Sequence, residues 1–149
     1  MIRIYMDGVF DLFHYGHVRA IQQCLDIVRT KTNNSLDENS YEVIIGVISD
    51  QDTESYKRLP IFTLDERTEI LKSIKGVGTV IAPAPLIVTK EFIKDNNIDI
   101  VVHGFANDED FEKQKDQHRE LIEMGIFQQI KYTDTISTTD IINRIKDRY

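Results

Sequence analysis

The sequence has little cysteine, proline or glycine: one Cys, three Pro and seven Gly among 149 residues. A single cysteine cannot form an internal disulfide. Cys24 falls in a predicted helix that should bury it, so we expect a small core residue and a reducing compartment. Because 41% of the residues are hydrophobic, the chain can bury a proper core. We predict one domain over residues 1–149.

Excess positive charge and long apolar runs are also missing. The formal net charge of −7 argues against a general nucleic-acid binder, which needs a basic surface to displace counterions. Any phosphate site must therefore be built locally. No apolar stretch approaches the roughly 20 residues that cross a bilayer, and no charged-then-apolar leader opens the chain. We expect a cytoplasmic protein with no membrane segment, and a surface loop at the polar residues 30–40.

Short segments rich in Ile and Val predict strands that are buried on both faces of a parallel sheet. They are residues 2–6, 42–49, 79–82, 98–103 and 128–132. Helical patterns alternate with them at residues 17–28, 64–74, 89–96, 109–124 and 138–146. This alternation predicts a doubly wound, Rossmann-like α/β domain with a parallel five-stranded sheet. Ligands bind such sheets at the carboxyl ends of the strands.

Local signals mark several helix ends. Thr63 with Glu66 and Ser137 with Asp140 have the spacing of a capping box, in which two side chains satisfy each other's backbone amides. Gly125 is placed as a helix stop.

A glycine turn follows the first strand and leads into a helix whose first turn carries two histidines, in the run DGVFDLFHYGH at residues 7–17. The spacing of three puts His14 and His17 on one side of that turn. A helix N-terminus already favours anions, and Gly16 allows close approach of a ligand or backbone. A lone histidine here would more simply be a capping or core residue. The pair, with both glycines, favours a site for phosphate oxygens.

This run resembles the HxGH signature of the cytidylyltransferases, in particular the choline-phosphate and ethanolamine-phosphate enzymes. Three further features match in the family's order. Lys57 falls where the family has a phosphate-binding lysine, residues 65–67 (DER) resemble its third short motif, and residues 136–142 (ISTTDII) resemble its second signature. Together these features cover nearly the whole chain.

The resemblance implies transfer of CMP from CTP to a small phosphorylated alcohol, phosphocholine or phosphoethanolamine, with release of pyrophosphate, as a step in phospholipid precursor synthesis. The acceptor's phosphate oxygen would attack the α-phosphorus in line, without a covalent enzyme intermediate. His14, His17 and Lys57 would be the catalytic residues: the histidines donate to triphosphate oxygens, and Lys57 screens the repulsion between the two substrates. Residues 50–60 lack a helix or strand pattern, so we expect a mobile loop there that closes over the substrates.

The resemblance also implies nucleotide-binding positions in the first turn, at strand ends and in the second signature. They are Gly8, Val9, Phe10, Gly16, Arg67, His103, Gly104, Tyr132, Ile136, Ser137 and Thr138. Acceptor-binding positions are Lys57, Leu86, Asn107 and Asp108. Mg²⁺ is the expected cofactor, with no metal ligand assigned among its candidates Asp7 and Asp11.

Some of these positions have a simpler interpretation. Ser137 and Thr138 are typical helix caps. Arg67 could pair on its own helix with Glu69 or Asp65 as ordinary surface charge.

The acceptor side departs from the family's pattern. Leu86 stands where we expect one ring of the aromatic cage around a trimethylammonium group. Residues 103–108 resemble an HGxD region with extra residues, which leaves open whether Asn107, Asp108 or Asp110 faces the acceptor. Phe105 either replaces the missing ring or is a core residue.

Two further departures concern the nucleotide and the oligomer. Either Lys131 or Tyr132 replaces an arginine near the nucleotide. Residues 75–79 (KGVGT) replace the family's dimer motif, so the expectation of a homodimer rests on the family resemblance alone. Glycerol-3-phosphate cytidylyltransferase and a non-catalytic CTP-binding regulatory module are the alternative functions.

Overall fold

The predicted parallel five-stranded sheet is present in the structure, a computed structural model that describes residues 1–33, 37 and 39–149. Its strands are β1 (Ile2–Gly8), β2 (Tyr41–Ile48), β3 (Thr79–Ala84), β4 (Ile100–Phe105) and β5 (Phe127–Lys131). Their order is β3-β2-β1-β4-β5, and all neighbours pair in parallel. The chain therefore leaves β1 in one direction and later returns on its other side at β4, which creates the crevice where doubly wound sheets bind ligands.

Helices connect the strands throughout the described residues. They are α1 (Tyr15–Lys31), α2 (Asp50–Tyr56), α3 (Leu64–Lys72), α4 (Lys90–Asp95), α5 (Asp108–Gln114), α6 (Arg119–Glu123) and α7 (Thr138–Arg148).

Each face of the sheet has its own apolar cluster, because successive strand residues point to opposite faces. Ile4 and Met6 of β1 belong to a cluster that includes Cys24 of α1, while Tyr5 belongs to one that includes Ile93 of α4. Cys24 is 0% exposed, which confirms the prediction of a core residue.

The predicted helix ends are largely confirmed. Thr63 and Glu66 form the complete capping box, whereas Ser137 accepts from the amide of Asp140 without the reciprocal bond. Gly125 follows the end of α6 with a φ of 73°, the left-handed conformation that glycine tolerates.

Three segment predictions need correction or limits. Residues 50–60 are not all loop, because helix α2 occupies Asp50–Tyr56. Only Thr53 of this helix is buried, so its sequence carries little of the apolar periodicity that predicts a helix. The single helix expected at 109–124 is two short helices separated by turns. Helix α1 continues into the expected surface loop as far as Lys31, and residues 34–36 and 38 of that loop lie outside the described residues.

Candidate active site

A cleft of about 450 Å³ opens at the carboxyl ends of β1, β4 and β5. It brings together most of the residues predicted for catalysis and nucleotide binding: Gly8, Val9, Phe10, His14, Gly16, His17, Lys57, His103, Gly104, Tyr132, Ile136, Ser137 and Thr138. Arg67, Leu86, Asn107 and Asp108 are not among its lining residues. Lining residues without a predicted role include Thr53, Arg58, Thr133 and Thr139.

His14 and His17 cap helix α1 reciprocally. The Nδ1 of His14 accepts a hydrogen bond from the Gly16 amide at 3.1 Å, and the Nδ1 of His17 accepts one from the His14 amide at 3.1 Å. Because a backbone amide can only donate, both Nδ1 atoms are unprotonated acceptors. In each neutral ring the proton is therefore on Nε2, and this N–H has no partner within the described chain.

Burial keeps both rings neutral. Desolvation lowers the pKa of His14, and lowers that of His17 to about 3 with smaller contributions from His14 and Lys57. The two side chains therefore serve as neutral Nε2–H donors at pH 7. Gly16 permits this packing, because a Cβ at that position would come within 2.9 Å of the His14 ring and 3.2 Å of Ile136.

Asp11 joins the turn after β1 to the residues that precede α3 and to the start of α7. Its carboxylate accepts from the amides of Ile61 (2.7 Å) and Phe62 (2.9 Å), and its carbonyl accepts from the Thr138 hydroxyl at 3.0 Å. The adjacent Phe10 and Leu12 have φ values of 55° and 47°, a conformation uncommon for such residues that needs support from its surroundings. Asp11 is thus the turn residue that the sequence left as an alternative to a metal ligand.

Arg67 differs from both of its sequence interpretations. Its side chain is 0% exposed, and its guanidinium donates to the carbonyls of Val9, Ile48 and Phe62 and to the Asp50 carboxylate. A surface ion pair is therefore excluded. Because these bonds engage all three nitrogens of the guanidinium and Arg67 does not line the cleft, we do not retain it as a phosphate ligand.

Two cations reach the cleft from the end of α2. Lys57 is the C-cap residue of that helix, and the Arg58 guanidinium donates to the Thr139 hydroxyl at 3.1 Å. Burial and the neighbouring Arg58 lower the pKa of Lys57, while Asp11 raises it. These cations and the N-termini of α1 and α7 make the cleft locally suited to anions on a protein of net charge −7.

Asp7, at the end of β1, places a carboxyl group in the cleft lining. Desolvation raises the pKa of its carboxyl group to about 7. No basic side chain of the described residues pairs with it, so a cationic ligand would stabilise its charged form.

Of the four predicted acceptor residues, Lys57 lines the cleft, whereas Leu86, Asn107 and Asp108 lie apart from its lining. Leu86 is 41% exposed. Asn107 caps α5 by accepting from the amide of Asp110, and Asp108 is in the first turn of that helix. Phe105 is buried and its ring contacts His103 and Phe111, which agrees with the core interpretation.

The chain folds as a doubly wound α/β domain, and its two histidine donors lie at a helix N-terminus beside the crevice where the strand order reverses. These features are typical of the class of nucleotide-handling proteins. The family profile described as "Cytidylyltransferase-like" matches residues 5–144. The chain belongs to this family, as its motifs suggested.

Curated relatives point the same way. The chain is 36% identical over 149 residues to choline-phosphate cytidylyltransferase 2 of Arabidopsis thaliana, covering 99% of this chain and 46% of that protein. Identity is 35% to human choline-phosphate cytidylyltransferase A (99% and 37% covered) and 33% to Arabidopsis ethanolamine-phosphate cytidylyltransferase (97% and 32%). The chain thus spans less than half the length of these relatives.

Among solved structures, the lipopolysaccharide core biosynthesis protein from Thermoplasma volcanium aligns with a TM-score of 0.65 at 21% identity. The alignment covers 90% of this chain and 99% of that one. At this identity the likeness supports the fold. No helix in the described ranges is long and apolar enough to span a membrane.

Proposed function

We propose that this chain transfers CMP from CTP to phosphocholine or phosphoethanolamine and releases pyrophosphate. The carrying observation is the pair of fixed Nε2–H donors of His14 and His17, which face the cleft together with Lys57. The relatives named as choline-phosphate and ethanolamine-phosphate cytidylyltransferases support the same reaction.

In the proposed reaction, an oxygen of the acceptor's phosphate forms a bond to the α-phosphorus of CTP. The bond from that phosphorus to the α,β-bridging oxygen breaks, and its electrons leave with pyrophosphate. The histidine N–H groups donate to triphosphate oxygens whose charge grows as this bond breaks. Since both rings are held by backbone amides before substrate arrives, little reorganisation is required in the transition state.

Lys57 is proposed to lie between the two anionic substrates. A compact ammonium group there would reduce their mutual repulsion and lower the barrier to in-line attack. Arg58, held by Thr139, would add a second cation on the nucleotide side.

Asp7 favours an acceptor with a positive group. Its carboxylate lacks a cationic partner within the described residues, and an ammonium or trimethylammonium group would compensate its charge. Glycerol 3-phosphate has no such group, and this observation favours the amine acceptors over that alternative. A regulatory module that only holds CTP would not need the donor pair and the lysine together.

We further propose that Mg²⁺ enters bound to the phosphates of CTP. No group of three or more His, Cys, Asp or Glu in the described ranges is arranged to hold a metal ion, so we assign it no protein ligand. Cytoplasmic location and a homodimer are also part of the proposal, supported respectively by the single buried thiol and by family likeness.

The test is pyrophosphate release from CTP with phosphocholine, phosphoethanolamine and glycerol 3-phosphate in parallel. Both amines should be turned over, and Asp7→Asn should lower kcat/KM for them by about 10-fold or more, the value of one lost charged contact, with little change in the KM for CTP. Turnover of glycerol 3-phosphate alone would contradict the proposed acceptor. CTP binding without turnover of any acceptor would favour the regulatory module.

A further inference from the structure

One face of α1 is directed at a segment made of residues 131–135, which begins with the last residue of β5 and leads toward α7. Tyr15, Arg19 and Gln23 are spaced four apart, so they form a stripe along this face. We call it the α1 stripe. It carries no role in the reaction described above, yet residues 131–133 line the cleft from the other side.

Gln23 binds the first residue of this segment at two points. Its Nε2 donates to the Lys131 carbonyl at 2.9 Å, and its Oε1 accepts from the Lys131 amide at 2.8 Å. Lys131 ends β5, which is an edge strand of the sheet. The free edge of a strand presents unpaired amides and carbonyls. The Gln23 carboxamide therefore pairs with that edge as the peptide group of a neighbouring strand would.

Tyr15 binds the other end of the segment. Its hydroxyl group contacts the Thr135 hydroxyl at 2.9 Å and donates toward the Thr135 carbonyl at 3.2 Å. The Arg19 guanidinium lies over the Tyr15 ring, 4.8 Å from its centroid. Thr135 comes two residues before Ser137, the N-cap of α7.

Between these two contacts a surface groove of about 380 Å³ lies between the segment and α1. Arg19, Gln22 and Gln23 line one side, and residues 131–135 line the other. The hydrogen bonds at Lys131 and Thr135 therefore link the segment to α1 at the two ends of this space.

We propose that Gln23 and Tyr15 are positioning residues for the nucleotide site. They hold residues 131–135 from behind, so that Lys131, Tyr132 and Thr133 face the cleft and Ser137 presents the start of α7 to the phosphates. This inference rests on the proposed binding of CTP. It involves neither the acceptor nor the histidine donors.

The matched test compares Gln23→Ala with Gln22→Ala. Gln22 is the adjacent residue of the same helix, lines the same groove and makes no side-chain hydrogen bond to the described residues. Calorimetric titration with CTP alone should show about 10-fold weaker binding for Gln23→Ala, the loss of two neutral hydrogen bonds, and wild-type binding for Gln22→Ala.

Kinetics should show the same division. For Gln23→Ala the KM for CTP should rise about 10-fold, while kcat at saturating CTP and the KM for the acceptor stay near wild type. Tyr15→Phe keeps the ring under Arg19 and removes only the hydroxyl, so a rise of a few-fold is expected. Equal losses in kcat and in thermal stability would indicate a merely structural role and overturn the proposal.

Hydrogen–deuterium exchange of the unliganded protein separates this inference from the proposed reaction. The Lys131 amide should exchange faster in Gln23→Ala than in Gln22→Ala, whatever the protein catalyses. Faster exchange with weakened CTP binding, but no turnover of either amine by the wild type, would sustain the positioning role and refute the reaction. Unchanged exchange would refute the positioning role, and a wild type that binds no CTP would overturn both.

Discussion

The imidazole rings of His14 and His17 stack on each other, with centroids 3.8 Å apart and planes inclined by 23°. The bonds that orient them are also the first bonds of α1: each Nδ1 accepts from a backbone amide at the helix start. The same two hydrogen bonds therefore cap the helix, orient the rings and place the proton of each ring on Nε2. Substitutions that keep the caps but change the Nε2–H donors can separate catalysis from capping.

His14→Asn and His17→Gln should both lower turnover by about 10²-fold or more, since a donor aimed at developing charge is lost or displaced. Asparagine is a good N-cap, and glutamine at the third helical position can reach back to the cap amide. At pH 7, where both histidines are neutral, the free energy of unfolding should therefore change by less than about 1 kcal/mol. Urea unfolding with the pyrophosphate assay measures both effects, and turnover near wild type would refute the assigned role.

The free energy of unfolding should decrease as the pH falls from about 6.5 toward 4. His17 has a folded-state pKa of about 3 against an ordinary 6.5, so between these values the unfolded chain binds a proton that the folded chain excludes. The slope from His17 is up to about 1.4 kcal/mol per pH unit. Burial also lowers the pKa values of His14, His103 and His118, which act in the same direction.

Asp7 opposes this trend, because its folded-state pKa of about 7 exceeds the ordinary 3.8 and the folded chain takes up its proton first as the pH falls. Asp7→Asn should steepen the loss of stability toward acid, and His17→Gln should flatten it. Urea titrations at several pH values give the slopes. Identical slopes in wild type and both variants would contradict the assignment.

Lys57→Ala should raise the KM for CTP and the KM for the acceptor, and should also lower kcat, because the ammonium is placed between two anions. Each effect should be about 10-fold or larger, as for loss of a charged contact. Lys94→Ala, at an exposed position of α4, is the control and should leave all three constants unchanged. An effect of Lys57→Ala on the CTP constant alone would show that the lysine serves the nucleotide only.

Arg67→Ala should destabilise the protein by about 3–5 kcal/mol, because it leaves three carbonyls and Asp50 without their buried donor. Arg119→Ala removes an exposed pair with Asp116 and should change stability by less than about 1 kcal/mol. Denaturant unfolding compares the two variants. A small loss in Arg67→Ala, accompanied by much weaker CTP binding, would instead support the phosphate-ligand interpretation.

The sequence was sufficient for features that depend on local pattern. Buried parallel strands are continuous runs of Ile and Val, and the histidine pair lies within four residues of chain, so both could be predicted. Arg67 could not, since its acceptors Val9 and Ile48 are 58 and 19 residues away in the chain. Helix α2 was missed because it buries little. The Nε2–H tautomer follows only from hydrogen bonds that three-dimensional coordinates reveal.

The hydrogen bond from Thr138 to the carbonyl of Asp11 has a consequence for synthesis of the chain. Its partners are separated by 127 residues, so the turn after β1 and helix α7 can meet only after all of the polypeptide between them has been translated. During synthesis the histidines would be made before α7, whose first residue Thr138 lines the cleft. The capacity to hold a nucleotide should therefore arise late, after α7 has left the ribosome.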